Sequence, residues 1–271
     1  MGKIGALAFI GGGAMGEAIL KGILAAELAG ASEITVSDMS TARRAYLKEH
    51  YGVKVTGDNI EAVRNAETVI LAVKPQVAGN AITQEVAQEI PEQAAVISIM
   101  GSVDLAKLQC LIPNRAVIRV MPNTPLAVGA GMTAIAPGKA ATPEMVSKAE
   151  AIFASCGQVV QVQESLMEAV TAVSGCGPGY VFMLIDALAD AGVNAGLPRD
   201  LAIRLAAQTF AGAGKMAVET GLHPAQLRDQ VTSPGGTTIA GIHALESKGV
   251  RGAFFNAVMA VLERSEKLKG R

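Results

Sequence analysis

The sequence contains no tryptophan, and aromatic residues make up only 3% of its 271 positions. Its core must be built from alanine, valine, isoleucine, leucine and methionine, side chains that let helices approach closely. Charge is scarce too: charged residues are 17%, the formal net charge is −1, and no long basic run occurs. Without clustered lysine and arginine, a nucleic-acid partner is excluded. Cys110, Cys156 and Cys176 have no CxxC spacing and no neighbouring histidines. This excludes a zinc site or disulfide frame, and suits a reducing cytoplasm. The apolar start MGKIGALAFIGGG is interrupted by glycines and lacks a clear cleavage pattern, so no secretory leader is expected. No uninterrupted apolar run approaches membrane-spanning length, so no membrane partner is expected either. With 50% hydrophobic residues and a mean hydropathy of +0.36, the apolar excess must enter a core or a large subunit interface.

What is present has a clear order. IGALAFI (4–10), EITVS (33–37), VKV (53–55), ETVILAV (67–73), AAVISI (94–99) and RAVIRVM (115–121) read as strands. Between them, 15–28, 41–51 and 76–90 read as helices. This alternation predicts a doubly wound α/β fold, a parallel sheet with helices on both faces. The pattern changes after GMTAIAP (131–137): a Thr-Pro-initiated helix covers 142–157 and a last strand 157–163. From residue 165 onward only helices are expected, over 165–173, 180–195, 198–220, 223–230, 237–247 and 250–267. The expected domains are residues 1–163, binding a dinucleotide, and 164–271, all-helical. Stretches such as LIDALADAGVNAGL (184–197) are apolar around most of the helix, which predicts that subunits pack helix on helix.

After the first strand comes Gly11-Gly12-Gly13-Ala14-Met15-Gly16, a GxGxxG opening a helix. Gly11 permits the tight turn, Gly13 lets a pyrophosphate approach, and Gly16 lets the helix pack on the strand. The N–H groups of the helix start face the anion. The second strand ends in Ser37-Asp38. An acid there takes the ribose 2′-hydroxyl of NAD, whereas the following Arg43 and Arg44 suit the 2′-phosphate of NADP or form a solvated face. The cofactor, NADP(H) or NAD(H), stays open between the two. Ala72, Val73, Lys74 and Pro75 lie at another strand's carboxyl end, where open α/β sheets bind ligands. Asn123 and Thr124 sit in a stiff loop, MPNTP, suited to a turn cap or a cofactor wall. His50, His223 and His243 have no partner carboxylate at a telling spacing. Cys176 reads as a packing residue.

The run VTSPGGTTIAG (231–241), with IGGGAMG, LAVKPQ, RVMPNTP and SGCGPGYVF, resembles the Δ1-pyrroline-5-carboxylate reductases over essentially the whole chain. The resemblance implies a Rossmann domain and a helical dimerisation domain, with a homodimer as minimal unit and dimers assembling into decamers. It implies reduction of a small cyclic imino acid to proline, and cofactor contacts that include Asn59 and Asn123. The substrate carboxylate would meet the N–H groups of Gly235 and Gly236 and the opening of a helix at Thr237 and Thr238, with Ser233 adding a hydroxyl. Such a helix start attracts an anion without arginine or lysine. Thr238 would hydrogen-bond the ring nitrogen as the catalytic residue. Two rival readings are a β-hydroxyacid dehydrogenase-like enzyme using Lys215 and a non-catalytic NAD(P) sensor. Many family members carry Asn-Arg where this chain has Asp38-Met39, and Ala-Gly where it has Gly101-Ser102. The second change reads as small-for-small and leaves the chemistry intact.

Overall fold

The apolar runs of the first half form strands and the segments between them form crossovers. In order these are β1 (Leu7–Ile10), α1 (Ala14–Ala25), β2 (Ile34–Ser37), α2 (Thr41–Tyr51), β3 (Lys54–Thr56), α3 (Asn59–Val63), β4 (Thr68–Leu71), α4 (Ala78–Ala81), α5 (Gln84–Glu89), β5 (Ala95–Ser98), α6 (Leu105–Leu111), β6 (Ala116–Met121), β7 (Gly131–Pro137), α7 (Pro143–Ala154) and β8 (Gly157–Gln161). The structure is a computed structural model and describes residues 4–269. The eight strands lie in the order β3-β2-β1-β4-β5-β6-β7-β8. Side chains alternate across the sheet: Leu7 and Phe9 enter one apolar layer with Ile19, Leu47 and Phe153, and Ala8 and Ile10 enter the other with Val63, Val86 and Leu108. Helices α1, α2 and α7 therefore cover one face, and α3, α5 and α6 the other.

Three expectations need correction. The sheet is not wholly parallel, because β7 runs antiparallel to β6. Only a short 3₁₀ turn, Thr124–Val128, joins them, and a parallel return needs a longer crossover. The α7 crossover then makes β8 parallel to β7. The helix expected over 76–90 is broken into a 3₁₀ turn at Pro75–Val77, α4 and α5, with Thr83 capping the last piece. Helices α3 and α6 were not expected. Both are short and open on an aspartate cap, Asp58 and Asp104.

The remaining helices are α8 (Met167–Val170), α9 (Gly177–Asn194), α10 (Arg199–Thr220), α11 (Pro224–Gln230), α12 (Thr237–Ser247) and α13 (Val250–Lys269). Between α8 and α9 lies a π-helical turn, Thr171–Gly175. Packing divides the chain into two units: one runs to Gly175 and regains the chain from Leu262, and the other is Cys176–Val261. The packing division falls after α8, because Met167 of α8 is buried with Ala134 and Ala136 of β7.

The second unit has little core of its own. Its buried cluster is Ala189, Ala202 and Ala206, while Phe182, Met183, Leu188, Leu205, Phe254 and Phe255 are exposed. That exposure exceeds what a lone helical unit tolerates in water. One helical run, Glu164–Asn194, is by length and composition apolar enough to cross a membrane, although its apolar residues are not uninterrupted. It also carries Glu164, Glu168, Asp186 and Asp190.

Candidate active site

The glycine loop has the stereochemistry its spacing requires. Gly11 has φ +99°, and a Cβ there would lie 2.7 Å from the Ala72 carbonyl oxygen. A Cβ on Gly16 would lie 2.9 Å from the Gly11 oxygen, so both positions exclude a side chain where helix meets strand. Gly13 differs: a Cβ there meets no atom within 4 Å. The space is open, and Gly13 is the N-cap of α1 with no side-chain cap. Glu17 N–H is the first to bond back, to the Gly13 oxygen at 2.9 Å. The N–H groups of Ala14, Met15 and Gly16 therefore point out of the helix end. An uncapped, unobstructed helix start of this kind suits a pyrophosphate.

Asp38 follows β2 and is tied to this loop. Its Oδ2 accepts the Gly12 N–H at 2.9 Å and its Oδ1 the Ser40 N–H at 2.8 Å. The two arginines do not form a solvated face. Arg43 donates through Nε to the Gly12 oxygen and pairs with Glu17, and its guanidinium lies 5.0 Å over the Tyr46 ring. Arg44 donates to the Asp38 oxygen at 2.6 Å, the Met39 oxygen at 3.1 Å and Thr41 Oγ1 at 3.1 Å.

The other residues expected along the cofactor gather at the carboxyl ends of the same strands. Ser37 Oγ donates to Asn59 Oδ1 at 2.5 Å, and Asn59 Nδ2 donates to the Ala81 oxygen at 2.8 Å. Asn59 thus links β2 to α4. Ala72 follows β4, its N–H bonded to the Ile10 oxygen at 2.8 Å, and Lys74 is exposed before Pro75. Asn123 does not cap its turn by its side chain. Its Oδ1 accepts the Met132 N–H at 2.9 Å and its Nδ2 donates to the Ser174 oxygen at 3.2 Å. It braces the end of β6 against β7 and the π-helical turn.

In the second unit, Ser233–Gly236 forms a turn closed by Gly236 N–H to the Ser233 oxygen at 3.0 Å. Pro234 and Gly235, with φ +67° at the glycine, occupy its middle. Gly236 is then the N-cap of α12, and no side chain caps that helix. Ala240 N–H is the first to bond back, to the Gly236 oxygen at 3.4 Å, so the N–H groups of Thr237, Thr238 and Ile239 open outward. Ser233, Thr237 and Thr238 are exposed. An ordinary Ser/Thr cap would place a hydroxyl on those N–H groups. Here no side chain does so.

Sequence reasoning missed two groups in the first unit. Arg119, 4% exposed in the apolar strand β6, pairs with Glu168 at 3.0 Å and Glu164 at 3.5 Å, and Ser265 of α13 donates to Glu168. A lone arginine in an apolar strand was the available signal. The second group is Glu17, which receives Arg43, Tyr46 and Tyr51. Its partners sit in a different helix, and no local pattern announces them.

Residues 164–268 match the family model for pyrroline-5-carboxylate reductase dimerisation, and residues 6–102 the model for NADP oxidoreductase, coenzyme F420-dependent. A pyrroline-5-carboxylate reductase of Synechocystis is 50% identical over 97% of each chain. That of Methanosarcina acetivorans is 46% identical over 98% of this chain and 97% of its own. The solved pyrroline-5-carboxylate reductase of Coxiella burnetii superposes with a TM-score of 0.91 at 35% identity, over 97% of this chain and 98% of that one. The Plasmodium falciparum pyrroline carboxylate reductase, solved with NADP bound, gives 0.88 at 31% identity over 99% and 100%.

Sheet order, glycine loop and helical unit together define a Rossmann-type oxidoreductase with a C-terminal dimerisation domain. The run Glu164–Asn194 lies inside the residues that match the dimerisation model. Within this class the chain belongs to the pyrroline-5-carboxylate reductase family, and its dimerisation domain supports homo-oligomerisation.

Proposed function

We propose that the chain reduces 1-pyrroline-5-carboxylate to L-proline, the last step of proline formation, with reduced nicotinamide dinucleotide as the second substrate. The observation that carries the residue assignment is the uncapped start of α12 behind the Ser233–Gly236 turn. The N–H groups of Gly235, Thr237 and Thr238 bind the substrate carboxylate, aided by the Ser233 hydroxyl and the positive end of the helix; the Gly236 N–H, expected among these donors, instead closes the turn onto the Ser233 oxygen. Thr238 Oγ1 hydrogen-bonds the ring nitrogen and orients the imine carbon. When bound, the nicotinamide supplies the hydride for that carbon. The imine is basic enough to take its proton from water, so the protein's work is positioning. Ala14, Met15 and Gly16 hold the pyrophosphate through backbone N–H groups, with Gly13 leaving room. Asp38 faces the adenosine ribose, and Ala72–Pro75 flank the far end of the cofactor. Asn59 and Asn123 hold these strand ends in place.

The hydroxyacid-dehydrogenase reading has less support. Its candidate, Lys215, is exposed and pairs at 3.6 Å with Glu219 one turn along its own helix. The smallest working unit is a homodimer, five of which form a decamer in the cytoplasm. Sedimentation at micromolar concentration measures this assembly. The Thr238→Ala variant is expected to lose turnover by about a hundredfold, the usual cost of one positioned donor. Its dissociation constant for the reduced cofactor should change little. Unchanged turnover would remove Thr238 from the mechanism.

A further inference from the structure

Resting on that reading of the β1–α1 loop, we infer that Asp38 makes this chain select NADH over NADPH, with Arg43 and Arg44 serving the loop and not a 2′-phosphate. Asp38 stands where the adenosine ribose of a dinucleotide on the α1 N-terminus meets the end of β2. Its carboxylate is held by two backbone donors, Gly12 N–H on Oδ2 and Ser40 N–H on Oδ1. A carboxylate has about four acceptor sites, so each oxygen keeps one for a ribose hydroxyl. A phosphate there brings negative charge against a fixed carboxylate.

The cations that would relieve this repulsion are committed. Arg43 is turned back to the Gly12 oxygen and neutralised by Glu17. Arg44 lies under the loop, on the Asp38 and Met39 oxygens and Thr41. Arg43 is thus paired with a carboxylate, and Arg44 spends its donors on backbone oxygens and a hydroxyl of its own segment. The next residue, Met39, is 87% exposed and apolar, so it supplies no cation. The start of α2 is also closed: Ser40 Oγ accepts the Arg43 N–H at 3.2 Å, whereas α1 has no side-chain cap. Two neighbouring helix starts therefore differ, one without a side-chain cap and the other capped by Ser40.

The test is calorimetric titration of the oligomer with NADH and with NADPH, followed by kcat/KM for each at the same salt. The wild type is expected to bind NADH at least about tenfold more tightly, a factor well within the reach of one like-charge contact. Asp38→Asn should shrink that ratio severalfold in both measurements. Met39→Arg, which leaves the Asp38 bonds untouched, should tighten NADPH binding and spare NADH; it decides the matter should Asp38→Asn fail to fold. Equal or tighter binding of NADPH by the wild type overturns the inference while the reductase assignment stands. A ratio unmoved by either variant overturns it too. Binding of neither dinucleotide would instead refute the reading of the loop as a cofactor site.

Discussion

Ser102 sits in the left-handed region, with φ +60°, just past β5. The exchange of Ala-Gly for Gly-Ser puts a side chain on backbone that favours glycine, and glycine at the neighbouring position. Ser102→Gly is expected to raise stability by up to about 1 kcal/mol, read from urea midpoints. Gly13 is the opposite case. Nothing stands within 4 Å of its missing Cβ, so Gly13→Val should melt and assemble like the wild type. It should nevertheless lose dinucleotide binding by calorimetry, because the branched side chain would occupy the anion's space. Retained binding would contradict the proposed pyrophosphate cradle. The glycine pattern was legible because the turn, the helix start and the helix–strand contact fall within six successive residues. Asn123 was not, since its partners Met132 and Ser174 come from elsewhere in the chain.

Helices α1 and α2 are joined by one carboxylate. Partial burial alone would raise the Glu17 pKa, but hydrogen bonds from Arg43, Tyr51 and Tyr46, with the Arg43 charge, outweigh it and hold the group below 4.5. Burial first, and then the bond to Glu17, pushes the Tyr51 hydroxyl up to about 12. A depressed carboxyl takes its proton in the unfolded chain before it does in the folded one. The stabilisation is thus present above the ordinary glutamate range and is lost as pH falls through the folded value. For Tyr51 the order reverses, and its contribution is lost as pH rises from 10 towards about 12. Urea midpoints taken across both limbs should show Glu17→Gln with a flatter acid limb than the wild type. An unchanged acid limb would mean that the network does not couple to folding. At this scale strand positions were legible from apolar runs. The broken helix after Pro75 and the reversed β7 were not, because the first depends on where Thr83 caps and the second on the length of a connection.

The molecule as a whole is incomplete as one chain. The groove between α9 and α10 is lined by Leu188, Leu197, Leu205 and alanines, and little of the second unit is buried. Leu205→Asp is expected to shift the oligomer toward monomer in sedimentation and to lower the melting temperature. The melting temperature of the wild type should rise with protein concentration, as it does where folding and association are linked. A monodisperse oligomer with an unaltered melt would remove this groove from the interface. Composition foretold this much: a helix apolar on most sides needs a cover that the chain does not supply.

The sequence by itself determined the α/β alternation, the glycine loop, the family and the need for a partner subunit, because periodicity, turn stereochemistry and apolar excess act locally or on the total. Only the tertiary structure decided what Arg43, Arg44, Arg119 and Asn123 hold, and that the α12 N-terminus lacks a side-chain cap. Those outcomes depend on atoms brought together by chain crossings, where one hydrogen bond a few ångströms away changes what a residue is for.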